Sequence, residues 1–213
     1  MKFEGANPTG VFKDRGSVVE ITKALELGAK AVTCASTGNM AASVAAYCAK
    51  AKVPCYVVIP EKTPMGKLAQ AIAYGAHVLK VRGDYSDCVR LSVEMAKHYN
   101  YYLAGDYVFR SEGQKAVAYE LLKQMKGEVP DWVVVPVGCG TNLSAIYKGF
   151  KELFELGLVK KIPRFIGVQP QNVPTIVAAW RKKLKHYVPV TSPFTVASAV
   201  GIGTPLDDVK VLN

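Results

Sequence analysis

Short runs rich in β-branched residues alternate with longer stretches of helical periodicity along the whole chain, and few folds tolerate that order. The runs are Ala31-Val32-Thr33-Cys34, Tyr56-Val57-Val58-Ile59, His77-Val78-Leu79-Lys80-Val81, Trp132 to Val137 and Phe165-Ile166-Gly167-Val168, with Tyr101-Tyr102-Leu103 as a shorter one. Helical patterns fall at about 14–27, 39–51, 65–74, 86–99, 112–126, 142–156 and 173–184. Strands that follow one another through helices run parallel, because the crossover returns the chain to the same end of the sheet. The alternation therefore predicts an α/β fold of mainly parallel sheets with helices on both faces. No repeat of solenoid period and no linker rich in Ser, Pro or Gly divides the 213 residues, so a second domain would be interleaved rather than appended.

Composition narrows the function classes. The chain is 50% hydrophobic and 21% charged, enough apolar residue to build a core. Apolar runs such as Trp132 to Val137 stop far short of the roughly 20 residues that cross a bilayer, so no membrane partner is expected. Met1-Lys2-Phe3-Glu4-Gly5 leads into turn chemistry without an apolar signal core, which points to the cytoplasm. Five Cys, at 34, 48, 55, 88 and 139, lack metal-type pairing and read as reduced thiols, with no metal site. The three His, at 77, 98 and 186, share no motif and argue against His-based catalysis. A net charge of +10 raises the question of nucleic acid. The basic residues are scattered, however, and the cluster Arg181-Lys182-Lys183-Lys185 reads as a solvated helix end, so no nucleic-acid partner is expected. An anionic cofactor or substrate would account for part of the excess.

In an open parallel sheet the ligand site lies at the carboxyl ends of the strands, which directs attention to three loops. Gly138-Cys139-Gly140-Thr141-Asn142 follows a strand and opens a helix, where glycine amides and the helix dipole suit a phosphate; a tight turn with Asn142 as a local cap is the other reading. It lacks the Lys-Ser/Thr of a P-loop and the third glycine of a dinucleotide fingerprint, which disfavours ATP and NAD. Ser36-Thr37-Gly38-Asn39 precedes the small-residue helix Ala41-Ala42-Ser43-Val44-Ala45-Ala46. Its amides could bind a carboxylate, or Ser36 or Thr37 could simply cap the helix. The third loop surrounds Gly105-Asp106. Near the start, Asn7-Pro8-Thr9-Gly10-Val11-Phe12-Lys13-Asp14-Arg15-Gly16 sets a turn, an aromatic, a lysine and a helix start. Lys13 there is either a Schiff-base amine or one more surface lysine.

Taken together and in this order, these segments resemble threonine synthase, a family of pyridoxal-phosphate enzymes with a tryptophan synthase beta-like fold. In that family the lysine segment reads N-P-T-G-S-F-K-D-R-G, the next loop S-T-G-N or S-S-G-N, and the third a phosphate loop rich in glycine and asparagine. The chain matches at Asn7 to Gly10, Phe12 to Gly16, Ser36 to Asn39, and Pro136-Val137-Gly138 with Asn142. Similarity continues through Glu112-Gly113-Gln114-Lys115, Pro130-Asp131-Trp132 and Thr195 to Pro205.

The resemblance implies a pyridoxal 5'-phosphate cofactor held by Lys13 through a Schiff base, with Asn39 on its ring oxygen. Gly138, Cys139, Gly140, Thr141 and Asn142 would cradle the phosphate. Ser36, Thr37 and Gly38 would face the carboxylate of a small amino-acid substrate, with Arg110 as a further anion ligand. The implied reaction is a lyase step of threonine biosynthesis, in which phosphate leaves O-phosphohomoserine and water adds to give threonine. The resemblance also implies a larger cofactor-binding domain from 1–36 and 105–213, a smaller mobile domain at 37–104, and a homodimer.

The chain departs from the family pattern at Val11 for Ser, Met40 for Thr, Ala104-Gly105-Asp106 where an Asn-Ser pair is usual, and Gly201 where Arg is common. Each change removes a hydrogen bond to a charged group, worth roughly 1.5–3 kcal/mol. The alternative is therefore a serine/threonine dehydratase or β-replacement enzyme of the same fold, or a non-catalytic form of it. The family also has segments before the lysine motif and after Gly203-Thr204-Pro205-Leu206, so the chain is expected to be a fragment or a reduced form, its group opposite the pyridine nitrogen missing.

Overall fold

Ala31–Ala35 forms β1, and all five of its residues are buried, as the interior strand of a covered parallel sheet requires. The computed structural model describes residues 1–105 and 107–213; Asp106, named above in the third loop, lies outside the described residues. The chain divides into two units, Met1–Gly113 and Gln114–Asn213, each with its own core.

In the first unit β1 pairs with β2 (Cys55–Pro60), β2 with β3 (His77–Val81), and β1 also with β4 (Tyr101–Leu103). All these pairings are parallel and the order is β3-β2-β1-β4, with Val32 opposite Cys55 and Ala31 opposite Tyr101. Alternation along the strands then separates two cores. Val32, Cys34, Cys55, Val57 and Ile59 face α1 (Lys13–Glu26) and α2 (Asn39–Ala51), meeting Ile21, Ala24, Ala41, Val44, Ala45 and Cys48. Their neighbours Ala35 and Val58 turn to the other side, where Cys88 and Met95 of α4 (Tyr85–Tyr99) close the second layer. Helices on both faces are thus realised here. The expected helix over 65–74 is a 3₁₀ turn, Met65–Lys67, followed by a short α3, Ala69–Ala73.

The expected helix over 112–126 is two: α5 (Val108–Gln114) and α6 (Ala116–Gln124). In the second unit β5 (Trp132–Pro136) and β6 (Arg164–Val168) pair in parallel, Trp132 opposite Arg164. The break at Lys115 lets α6 lie on α7 (Thr141–Glu155), where a Cβ on Gly149 would sit 2.5 Å from Lys115 O and 2.8 Å from Ala118 Cβ. Val133, Val135 and Phe165 face that helix pair, against Ala118, Ile146, Phe150 and Leu153. The alternate residues Trp132, Val134, Ile166 and Val168 are exposed, so among the described residues this sheet carries helices on one face only. Two short helices complete the unit, α8 (Thr175–Arg181) and α9 (Asp208–Leu212). The basic cluster at 181–185 is exposed at and beyond the end of α8. No helix among the described residues is long and apolar enough to cross a membrane.

Candidate functional site

Lys13 opens α1, and its flanks are tied down. The turn Asn7-Pro8-Thr9-Gly10 is closed by the Gly10 N–H donating to Asn7 O at 2.8 Å, with Gly10 in the left-handed region at φ 81°. Buried Asp14 accepts from the Thr9 N–H at 2.7 Å and from the Thr9 hydroxyl at 2.6 Å. A carboxylate in the first turn of a helix meets the positive end of the dipole, and two further donors offset its burial. Arg15 forks onto Glu4, Nε to Oε2 at 2.6 Å and Nη2 to Oε1 at 2.9 Å, a bidentate pair that fixes orientation as well as distance. Lys13 lies between these anchors, half-buried, its Nζ 5.2 Å from the centroid of the Phe12 ring. Both flanks of the lysine motif therefore act as backbone restraints on one amine-bearing residue.

Arg110 departs from its expected role. It is fully buried, and its guanidinium donates Nε to Gly105 O at 2.9 Å, Nη1 to Lys13 O at 3.4 Å, and Nη2 to the equally buried carboxylate of Glu20. Glu20 in turn accepts from the Gly105 N–H at 3.0 Å. A guanidinium without solvent access and engaged by three protein acceptors is a structural fork, not an open anion ligand. The field of the pair reaches its neighbours: burial first, then the Glu20 charge, pushes the Tyr102 hydroxyl up to about 12, with Arg110 pulling the other way. Burial likewise pushes the Cys34 thiol upward.

The loop 36–39 settles one local alternative. The N-cap of α2 is Gly38, not Ser36 or Thr37, and no side chain caps the helix. Gly38 O accepts the Ala42 N–H at 3.2 Å, while Ser36, Thr37 and Gly38 are half-buried and Asn39 is exposed. First-turn amides without a side-chain acceptor suit an anionic group, the carboxylate chemistry anticipated there.

In the second unit Gly138 to Asn142 leads from β5 into α7. Gly140 is the N-cap, left-handed at φ 98°, and a Cβ there would lie 2.8 Å from Val211 Cγ2 and 3.2 Å from Asp207 O. A Cβ on Gly138 would meet Ile202 Cγ1 at 3.2 Å, and Cys139 O accepts the Asp207 N–H at 3.0 Å. Gly140 is thus required by geometry and Gly138 is closely packed, as segments 199–202 and 207–211 wrap the loop. No side chain caps α7. Thr141 Oγ1 and Asn142 Oδ1 are buried without a hydrogen-bond partner among the described residues. Buried polar atoms are ordinarily satisfied, so an orphan hydroxyl beside uncapped first-turn amides fits a phosphate oxygen as the absent acceptor. Asn142 is not the local cap that the alternative reading required.

Sequence reasoning named Lys13, Ser36 to Asn39 and 138–142 but missed Glu4, Asp14 and Glu20, the carboxylates around the lysine segment. Only Glu20 left a signal, a carboxylate next to Ile21 and one turn before Ala24 on the buried side of α1. No group of three or more His, Cys, Asp or Glu among the described residues could hold a metal ion.

Comparison with known proteins adds a family match. The model of the family described as "Pyridoxal-phosphate dependent enzyme" matches residues 1–212. Threonine synthase of Methanocaldococcus jannaschii is 46% identical over 215 residues, covering 100% of this chain and 53% of the relative. Threonine synthase of Synechocystis sp. is 40% identical, covering 96% of the chain and 52% of the relative. The chain thus spans about half the length of the curated relatives it matches. Among solved structures, maize serine racemase superposes with a TM-score of 0.84 at 23% identity, covering 98% of this chain and 61% of that one. The threonine deaminase of T.th. gives a TM-score of 0.81 at 27% identity, covering 98% and 66%.

Proposed function

We propose, from the premise that this chain belongs to the family of pyridoxal-phosphate dependent enzymes, that it takes part in a threonine synthase reaction. Phosphate is eliminated from O-phosphohomoserine and water is added, giving threonine. The observation that carries the reading is the cradle at 138–142: a left-handed glycine cap, uncapped helix amides and a buried hydroxyl without an acceptor. Relatives at 40–46% identity are threonine synthases, whereas the threonine deaminase structure is 27% identical, which favours this reaction over dehydration.

The cofactor, when bound, supplies an electron sink for negative charge at the substrate carbons. The chain supplies the rest. Lys13 is the amine that would hold the cofactor covalently and would carry protons at the substrate carbons. Gly138, Cys139, Gly140, Thr141 and Asn142 would hold the cofactor's phosphate at the positive end of α7. Asn39 would hold the ring oxygen, and Ser36, Thr37 and Gly38 would orient the substrate carboxylate at the start of α2. On this reading residues 37–104 form the smaller moving body, and 1–36 with 105–213 the larger one. Motion of the smaller body excludes water until the hydration step. The working form is a cytoplasmic homodimer.

The test is optical and chemical. Pyridoxal phosphate is added to the chain, the adduct is reduced with borohydride, and the modified peptide is located by mass. Products are then analysed with O-phosphohomoserine, threonine, serine and O-phosphoserine offered separately. Modification confined to Lys13 with threonine formed from O-phosphohomoserine supports the reading. Absence of any adduct refutes it, and turnover of threonine or serine alone moves the chain to dehydration.

A further inference from the structure

Besides Asp14, the first unit buries a pair of opposite charges that the reaction itself does not use. Glu20 and Arg110 are both 0% exposed and ion-paired, one on α1 and the other on α5. Glu20 lies seven residues beyond Lys13, two helical turns on, and therefore on the same face of α1. Between them sits Gly16, whose missing side chain is what admits Arg110: a Cβ there would be 2.5 Å from Arg110 Cγ and 3.1 Å from Arg110 O. Gly113 of α5 is equally obligatory, since a Cβ would overlap Arg15 O. The two glycines let α5 cross the start of α1 at backbone distance, and the guanidinium then reaches across to Lys13 O, Gly105 O and Glu20.

We propose that Glu20 and Arg110 are a positioning pair, fixing the backbone at Lys13 and hence the direction in which its amine leaves α1. The inference rests on the reading of Lys13 as the cofactor-bearing residue. Only a fork with several donors can serve these acceptors together; a lysine at 110 keeps the charge but concentrates its donors on one nitrogen. Glu20 completes the device by holding both the guanidinium and the Gly105 N–H, so the loop after β4 and the start of α1 share one anchor. A buried pair of this kind adds little net stability compared with apolar residues of similar volume, so its value lies in fixed geometry.

Two variants test this in the whole chain: Arg110→Lys, which loosens the fork, and the double variant Glu20→Leu with Arg110→Met, which leaves no buried charge behind. Hydrogen exchange of the amides at 13–18 reads the clamp without any cofactor. The rate of borohydride-trapped pyridoxal phosphate at Lys13 and the visible circular dichroism of the adduct read its consequence. We expect native far-ultraviolet spectra, at least tenfold faster exchange over 13–18, at least tenfold slower trapping and a weakened visible dichroic band. Folded variants that keep wild-type exchange and trapping overturn the proposal, and failure of both variants to fold overturns it in favour of a purely structural pair. Absence of trapping at Lys13 in the wild type defeats the functional reading instead, while the exchange arm still judges the clamp.

Discussion

Gly140→Ala is the sharpest single perturbation of the phosphate cradle, and its size follows from two separable costs. Alanine in the left-handed region at φ 98° costs about 1–2 kcal/mol. The added Cβ would also stand 2.8 Å from Val211 Cγ2 and 3.2 Å from Asp207 O, and overpacking of that kind costs roughly 1–3 kcal/mol. The sum is about 2–5 kcal/mol, a large part of the roughly 5–15 kcal/mol that holds a domain together. Gly157 at the other end of α7 supplies the control, with φ 70° and nothing within 4 Å of its would-be Cβ. Gly157→Ala should therefore show the backbone cost alone. Urea unfolding followed by the exposed Trp132 and Trp180 gives both values, and binding of pyridoxal phosphate gives a second axis. The expected result is a Gly140→Ala penalty exceeding that of Gly157→Ala by about 1–3 kcal/mol, with at least tenfold weaker binding in the former only. Equal penalties would show that Val211 and Asp207 yield freely, and the tight wrapping of the loop would be refuted.

Asp14→Asn replaces two carboxylate acceptors by an amide that can serve only one of the Thr9 donors, so unfolding free energy should fall by about 1–3 kcal/mol, measured by denaturant titration. The three partners of Glu152 make acid sensitivity specific. Desolvation alone would raise this carboxyl, but hydrogen bonds from Lys148, Tyr119 and Lys115 win and hold it at about 2. Its stabilisation is fully present above the ordinary carboxylate range and is lost as pH falls from about 4.5 toward 2. Because the group is partly exposed the loss should be no more than about 1 kcal/mol, and Glu152→Gln should abolish it in a stability-against-pH series. On the sheet of the second unit, Val134→Thr should cost less than about 0.5 kcal/mol, as surface changes do. Val135→Thr, 3% exposed, should cost at least about 1 kcal/mol by burying a hydroxyl. Reversal of that order would exchange the two faces of β5 and β6.

The parallel fold was legible because it depends on alternation alone: β-branched runs at Ala31–Ala35 and Trp132–Pro136 are too short and too apolar to be anything but strands beside helices. Element ends were less legible. The break between α5 and α6 at Lys115 depends on Gly149 of a helix some 30 residues later, and a single helical pattern contains no trace of that approach. The uncovered face of β5 and β6 was invisible for a related reason, since Val134 and Val135 are the same residue type and only the register assigns one to the core.

The site shows a similar division with a different cause. Glycines at 138 and 140 and the lysine motif could be read because their chemistry is local: a backbone turn, a helix start, an amine. Arg110 could not, because a basic residue near the proposed substrate loops looks the same in sequence whether it faces an anion or a buried carboxylate. What separates the cases is Glu20, ninety positions away and on the apolar side of α1. The choice at Arg110 is decided by desolvation: a guanidinium stripped of water must be satisfied within the protein before it can serve a ligand. With donors on Glu20, Gly105 O and Lys13 O, Arg110 meets the lysine segment at its backbone rather than at its amine.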